Sequence, residues 1–122
     1  MHEFGFAYNI FKVAEATAIK YNAKRITKVL LEIGELTLIV PEMLKECFIM
    51  ATHGSIAEGA ELVIEVTPGK IQCQDCDKIS LVTLKDDHIK GIDLFECQHC
   101  QSKNTQIVDG KKANVKNIMI EE

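Results

Sequence analysis

Two Cys-x-x-C pairs, Cys73-Gln74-Asp75-Cys76 and Cys97-Gln98-His99-Cys100, stand twenty residues apart in this chain. A two-residue spacer lets each pair grip an ion from a tight turn, while the segment between folds back as a hairpin. Four thiolates then close a tetrahedron around one Zn2+. An all-sulfur tetrahedron suits zinc or iron and excludes Mg2+ and Ca2+. With all four positions taken by protein, such a zinc is structural rather than catalytic. Two disulfides instead require an oxidising compartment, and a redox dithiol uses one pair and leaves the other unexplained. A rubredoxin-like iron site would want a small residue after each pair, where this chain has Asp77 and Gln101. The spacing predicts a zinc-ribbon-like module with Cys73, Cys76, Cys97 and Cys100 as zinc ligands.

The rest of the chain is rich enough in apolar residues to bury its own core: 47% of the 122 residues are hydrophobic and 26% charged. No apolar run approaches the roughly 20 residues that span a bilayer, and no basic stretch followed by an apolar one opens the chain, so neither a membrane span nor a signal peptide is expected. Of five cysteines, four are taken by the module, which fits a reducing cytoplasm. The fifth, Cys47, reads as a small core residue beside Phe48. A net charge of −4 argues against nucleic acid, since a ribbon that binds it would show a basic face. A nucleic-acid or protein interaction module is therefore the alternative reading of the ribbon.

In chain order, residues 4–22 read as a helix with Phe6, Ile10, Val13, Thr17 and Tyr21 on one face, ended by Asn22. Residues 25–33 alternate as a half-buried strand, with Thr27, Val29, Leu31 and Ile33 on one side and Gly34 as its end. Pro41 suits the first turn of a second helix, whose stripe is Leu44, Cys47, Phe48 and Ala51 and whose stop is Gly54. Strands follow at 62–66, ended by Pro68-Gly69, and at 115–121, with Ile118 and Ile120 on one face. The fold class is α+β: a three-stranded sheet with two helices, at 1–69 and 106–122, interrupted by the zinc-binding module at 70–105.

Met1-His2-Glu3 carries a second signal. The terminal amine, the His2 backbone nitrogen and the His2 imidazole Nδ1 can form two fused chelate rings. Planar nitrogen donors of this kind favour Ni2+ or Cu2+.

Taken together, these features make the chain resemble the HypA/HybF family of hydrogenase maturation proteins, which are nickel metallochaperones. The resemblance runs through Met1-His2-Glu3, Leu31-Glu32-Ile33-Gly34, Pro41, Leu44 and Phe48. It continues through Ala57-Glu58-Gly59-Ala60-Glu61-Leu62, both cysteine pairs and the closing Ile120-Glu121. Two departures stand out: a longer gap between the pairs than in many bacterial members, and Cys-Gln-His-Cys where a proline is common. The resemblance implies nickel on Met1, His2 and Glu3 and zinc on the four cysteines. Its implied partners are the HypB GTPase and the NiFe-hydrogenase large subunit, with urease served by some members. His88, in the long loop, is a possible fourth nickel ligand; His99 is a third option, and His53 reads as a charge partner at a helix end. Transfer rather than catalysis is expected, because no nucleophile with a base, phosphate loop or carboxylate pair is evident.

Overall fold

The computed structural model describes residues 3–82 and 95–122. In order, the elements are α1 (Glu3–Lys20), β1 (Arg25–Gly34), a short 3-10 turn (Glu35–Thr37), α2 (Pro41–Thr52), β2 (Glu61–Thr67), β3 (Gly69–Cys73), β4 (Ile79–Val82), β5 (Thr105–Asp109) and β6 (Ala113–Glu121). They form two compact units. One holds Met1–Glu32, Ile39–Glu65 and Ala113–Glu122; the other holds Ile33–Leu38 and Val66–Lys112. Among the described residues no helix is long and apolar enough to cross a membrane.

The first unit has both helices and the larger sheet. α1 is helical as expected, but its buried face is Ala7, Ile10, Phe11, Ala14 and Ala18. That differs from the expected stripe: Val13 is 54% and Tyr21 65% exposed. The reason is steric. Alanines at 7, 14 and 18 lie on one side of the helix and let α2 approach closely, which bulkier Val13 and Tyr21 would prevent. Lys12 lies beside this helix's aromatic residues, its ammonium 5.9 Å from the Tyr8 ring and 5.6 Å from the Phe11 ring. Asn22 ends α1 as expected, in the left-handed conformation (φ 55°). The Ala23 N–H donates to Ala18 O and the Asn22 N–H to Ile19 O, the paired bonds of a Schellman cap.

Pro41 starts α2, where its missing N–H costs nothing. Leu44, Phe48 and Thr52 are its buried residues. Cys47 and Ala51 stand only half-buried at the edge of that stripe, so Cys47 is not the core residue expected. Thr52 is tolerated inside because its hydroxyl donates to Phe48 O at 2.8 Å. The sheet runs β2-β1-β6. Central β1 buries Ile26, Val29, Leu31 and Ile33, while Thr27 is exposed and reaches Met119 O. On edge strand β6, Ile118 and Ile120 are half-buried as expected. The chain leaves after β2 and returns as β6 beside its first strand; the second unit draws on this stretch and on Ile33–Leu38.

The second unit has a sheet of its own, β4-β3-β5, that the hydrophobic pattern did not announce. In β3 and β4 the alternation puts Ile71 opposite Ser80 and Gly69 opposite Val82. Ile71, Cys73, Ser80 and Val82 are buried, and so is Cys97. Among the described residues that roster, with Ile33, is too small a core to hold a fold by apolar burial alone.

Three glycines stack where the chain enters and leaves this unit. A Cβ on Gly34 would lie 2.0 Å from Gly110 O, and one on Gly110 would lie 2.5 Å from Gly69 Cα. The backbones are this close because Gly34 N–H donates to Lys112 O (2.8 Å) and Leu36 N–H to Gly110 O (2.9 Å). Gly110 also sits at φ +95°, which penalises any side chain. Gly69 differs, since its nearest neighbours are the movable side-chain atoms of Leu36. Gly34→Ala and Gly110→Ala are each expected to cost about 3 kcal/mol or more, and Gly69→Ala about 1 kcal/mol. Urea denaturation of the three variants checks the order; equal losses would mean that the backbone contact is not the cause.

Candidate metal centre

The two cysteine pairs fold into near-identical knuckles. In the first, the Cys73 N–H donates to Lys78 O (3.0 Å) and the Asp77 N–H to Cys73 O (2.9 Å). In the second, the Cys97 N–H donates to Ser102 O (2.9 Å) and the Gln101 N–H to Cys97 O (2.9 Å). Each turn closes through a residue in the left-handed region, Asp77 and Gln101, both at φ 63°. The positions that lack glycine in the sequence thus adopt the conformation glycine would favour, at some cost in backbone strain.

These turns bring four sulfurs together. All four Sγ atoms lie within 4.8 Å of one another. Cys73 and Cys100 are 3.5 Å apart, and Cys76 and Cys97 3.6 Å. A disulfide needs about 2.05 Å. Four sulfurs each about 2.3 Å from a central zinc lie about 3.8 Å from one another, so the spacing fits a tetrahedral ion. The donor set is soft and complete, and leaves no position open for substrate or cargo.

Backbone N–H groups aim at the sulfurs. Asp75 N–H points at Cys73 Sγ (3.3 Å); His99 N–H (3.3 Å) and Cys100 N–H (3.5 Å) point at Cys97 Sγ. The Cys100 N–H, helped by that of His99, pulls the Cys97 thiol down to about 6 against the opposing effect of burial. Cys100 goes the other way: the Ser102 N–H lowers it, but the Cys73 thiol and burial prevail and push it up to about 12. Cys76 is also raised, the lowering by the Lys78 N–H being outweighed by burial and by the thiols of Cys97 and Cys73. The surroundings thus favour the thiolate at Cys97 and the protonated thiol at Cys76 and Cys100.

Polar side chains brace the knuckles. The Asp75 carboxylate accepts from the Ser102 hydroxyl and the Asn104 amide, which hold it below the usual carboxylate range. The Gln98 N–H donates to Ser80 Oγ (3.2 Å) and its side-chain amide to Leu81 O (3.0 Å), fastening the second knuckle to β4. Sequence spacing points to the cysteines but carries no signal for these braces, whose partners lie far along the chain.

Of the other expected site residues, Met1, His2 and His88 lie outside the described residues. Glu3 opens α1 and is 9% exposed. His99 is exposed on the second knuckle. His53 caps α2, with Nδ1 2.9 Å from Glu58 Oε2 across the following turn.

Over residues 1–120 the chain matches the family model described as hydrogenase/urease nickel incorporation, metallochaperone, hypA. Hydrogenase maturation factor HypA of Dechloromonas aromatica (strain RCB) is 38% identical over 122 residues, covering 99% of this chain and 100% of that one. Its counterpart in Aquifex aeolicus (strain VF5) is 35% identical over 121 residues, covering 99% and 98%. Among solved structures, the Ni metallochaperone HypA from Helicobacter pylori matches with a TM-score of 0.67 at 22% identity, covering 99% of this chain and 98% of that one. A second solution structure of HypA protein matches at 0.70 and 23%, covering 98% and 96%. These two likenesses establish the fold.

The split thiol acidities have a measurable consequence. At pH 7 an ion that enters the cluster must displace the protons of Cys76 and Cys100. Adding Zn2+ to metal-stripped protein in weak buffer at pH 7 is expected to release at least two protons per ion, read with an indicator dye. Fewer than two would mean that these thiols are already ionised.

Proposed function

Since the chain belongs to the HypA family of nickel-incorporation metallochaperones, we propose that it binds Ni2+ at its N-terminus and delivers it for maturation of NiFe-hydrogenase. The observation that carries this reading is the closed four-cysteine cluster. A carrier must let its cargo go, and a site with every coordination position filled by thiolate is built to keep its ion. The exchangeable ion therefore needs other donors. Met1 supplies its amine, His2 its backbone nitrogen and imidazole Nδ1, and Glu3 a backbone nitrogen or carboxylate; His88 is a further candidate. Nitrogen donors in a plane suit Ni2+ and leave axial faces through which an acceptor's ligands can attack.

In this reading Cys73, Cys76, Cys97 and Cys100 hold a resident zinc. Bound there, zinc supplies cross-linking rather than Lewis-acid chemistry. The small core around Ile71, Val82, Cys73 and Cys97 is what such a cross-link stabilises. The acceptor is a hydrogenase large subunit, with the HypB GTPase as delivery partner in a reducing cytoplasm, and urease maturation is a further destination. The zinc-binding module at 70–105 and the nickel-binding remainder act as separable pieces, and the carrier itself catalyses no covalent step.

Two experiments test this. Nickel titration of wild type is expected to show one site beyond a stoichiometric zinc, and His2→Ala to lose the nickel while keeping the zinc. A single residue added before Met1 moves the amine out of the chelate, so nickel affinity and spectrum should both change. Unchanged nickel affinity in His2→Ala would end the N-terminal mechanism. For the zinc, any single Cys→Ala is expected to free the metal yet leave the far-ultraviolet helix signal of α1 and α2 near wild type. Global loss of helix would show that the two parts do not fold separately.

A further inference from the structure

We propose that Asp75 is a positioning residue that clasps the two cysteine knuckles together independently of the metal, and so keeps the zinc with the chain while nickel is passed on. The proposal rests on reading the cluster as a resident zinc site.

Asp75 is the third residue of the first knuckle, and it works in two directions. Its backbone N–H donates to Cys73 Sγ at 3.3 Å. Its carboxylate reaches across to the segment after the second knuckle, where Oδ2 accepts from the Ser102 hydroxyl and Oδ1 from the Asn104 amide at 3.3 Å. Ser102 in turn accepts the Cys97 N–H on its carbonyl at 2.9 Å. Its Oγ accepts the Asn104 N–H at 3.0 Å, and Gln74 N–H donates to Asn104 O at 2.8 Å. A continuous run of hydrogen bonds thus leads from the Cys73 sulfur through Asp75 and Ser102 to Cys97, without passing through the metal position. Bonds to an ionised carboxylate are the stronger kind, and members of such a run reinforce one another.

The two knuckles match in backbone but not in this reach. The third residue of the second knuckle is His99, whose N–H points at Cys97 Sγ at the same 3.3 Å. Only the first knuckle carries a carboxylate at that place, and the residues that meet it are those just after the second.

The clasp acts on the step by which a four-thiolate site loses its ion. A competing ligand must draw thiolates away one after another. Within a knuckle the two thiols are joined by a tight turn, so what has to part is one knuckle from the other. While the Asp75 contacts hold, a thiolate that lets go stays close and binds again. A protein whose work is to surrender one metal is thereby kept from surrendering the other.

The test starts with metal content. One zinc per chain is expected in wild type, Asp75→Ala and Asn104→Ala; a wild type without zinc overturns the reading of the cluster itself. Zinc transfer to excess 4-(2-pyridylazo)resorcinol is then timed. Release from Asp75→Ala is expected to be about 10- to 100-fold faster than from wild type. Asn104→Ala, which removes one of the two contacts, should be faster by less. Asp75→Ala combined with Ser102→Ala should release no faster than Asp75→Ala alone, because the pair acts as one unit. Thermal melting of the helices, followed by circular dichroism, should match wild type in all three variants, which a general loss of stability would not allow. Wild-type release from Asp75→Ala overturns the proposal, as does faster release accompanied by an equally shifted helix melt. If Asp75→Ala does not fold, wild-type release from Asn104→Ala overturns it instead.

Discussion

Four cysteine sulfurs held within 4.8 Å of one another are the arrangement on which the second unit depends. Thiols gain little from one another's company, and thiolates repel; a soft divalent cation turns that crowding into attraction. The unit around them offers few alternatives. Among the described residues its buried apolar side chains are Ile33, Ile71 and Val82 with two of the cysteines, and β3, β4 and β5 are four or five residues long. Hydrophobic burial on that scale does not offset the entropy of ordering the chain. A metal bound at the four cysteines would add its binding free energy to the folding of this part.

The other unit solves the same problem by conventional means. Ile26, Val29 and Leu31 from the central strand, Leu44 and Phe48 from α2 and the alanine face of α1 are all buried. Full burial of each large side chain contributes roughly 1.5–3 kcal/mol, enough together to need no staple. One chain therefore carries two kinds of core, one built on apolar area and one on a four-cysteine cluster that can hold a metal.

Much of this was legible in the residues. Spacing alone picks out the four cysteines, because two tight turns, each with thiols three positions apart, leave few other ways to satisfy them. Pro41, Gly34 and Asn22 mark element ends through backbone preferences that need no tertiary context. The face of α1 was not legible. Hydropathy weighs Val13 and Tyr21 above Ala7, Ala14 and Ala18, yet the distance between two helices favours the smaller side chains. The sheet β4-β3-β5 escaped because runs such as Ile79–Val82 are too short to show a period. The Asp75 brace joins residues 27 and 29 positions apart, and a lone aspartate gives no sign of such a partner. Met1 and His2 were suggested as nickel ligands by their chelating register, and they lie outside the described residues.

The stacked glycines where the chain passes into and out of the second unit bear on how this sequence can vary. At Gly34 and Gly110 an added carbon would run into another stretch of backbone rather than a side chain that can turn aside. Every change at the first or second base of a glycine codon ends in a residue with a Cβ or in a stop. Apart from silent third-base changes, the junction therefore has no single-base neighbour that keeps glycine at these two positions. Variation in this chain is channelled away from its crossing point by the genetic code as much as by the fold.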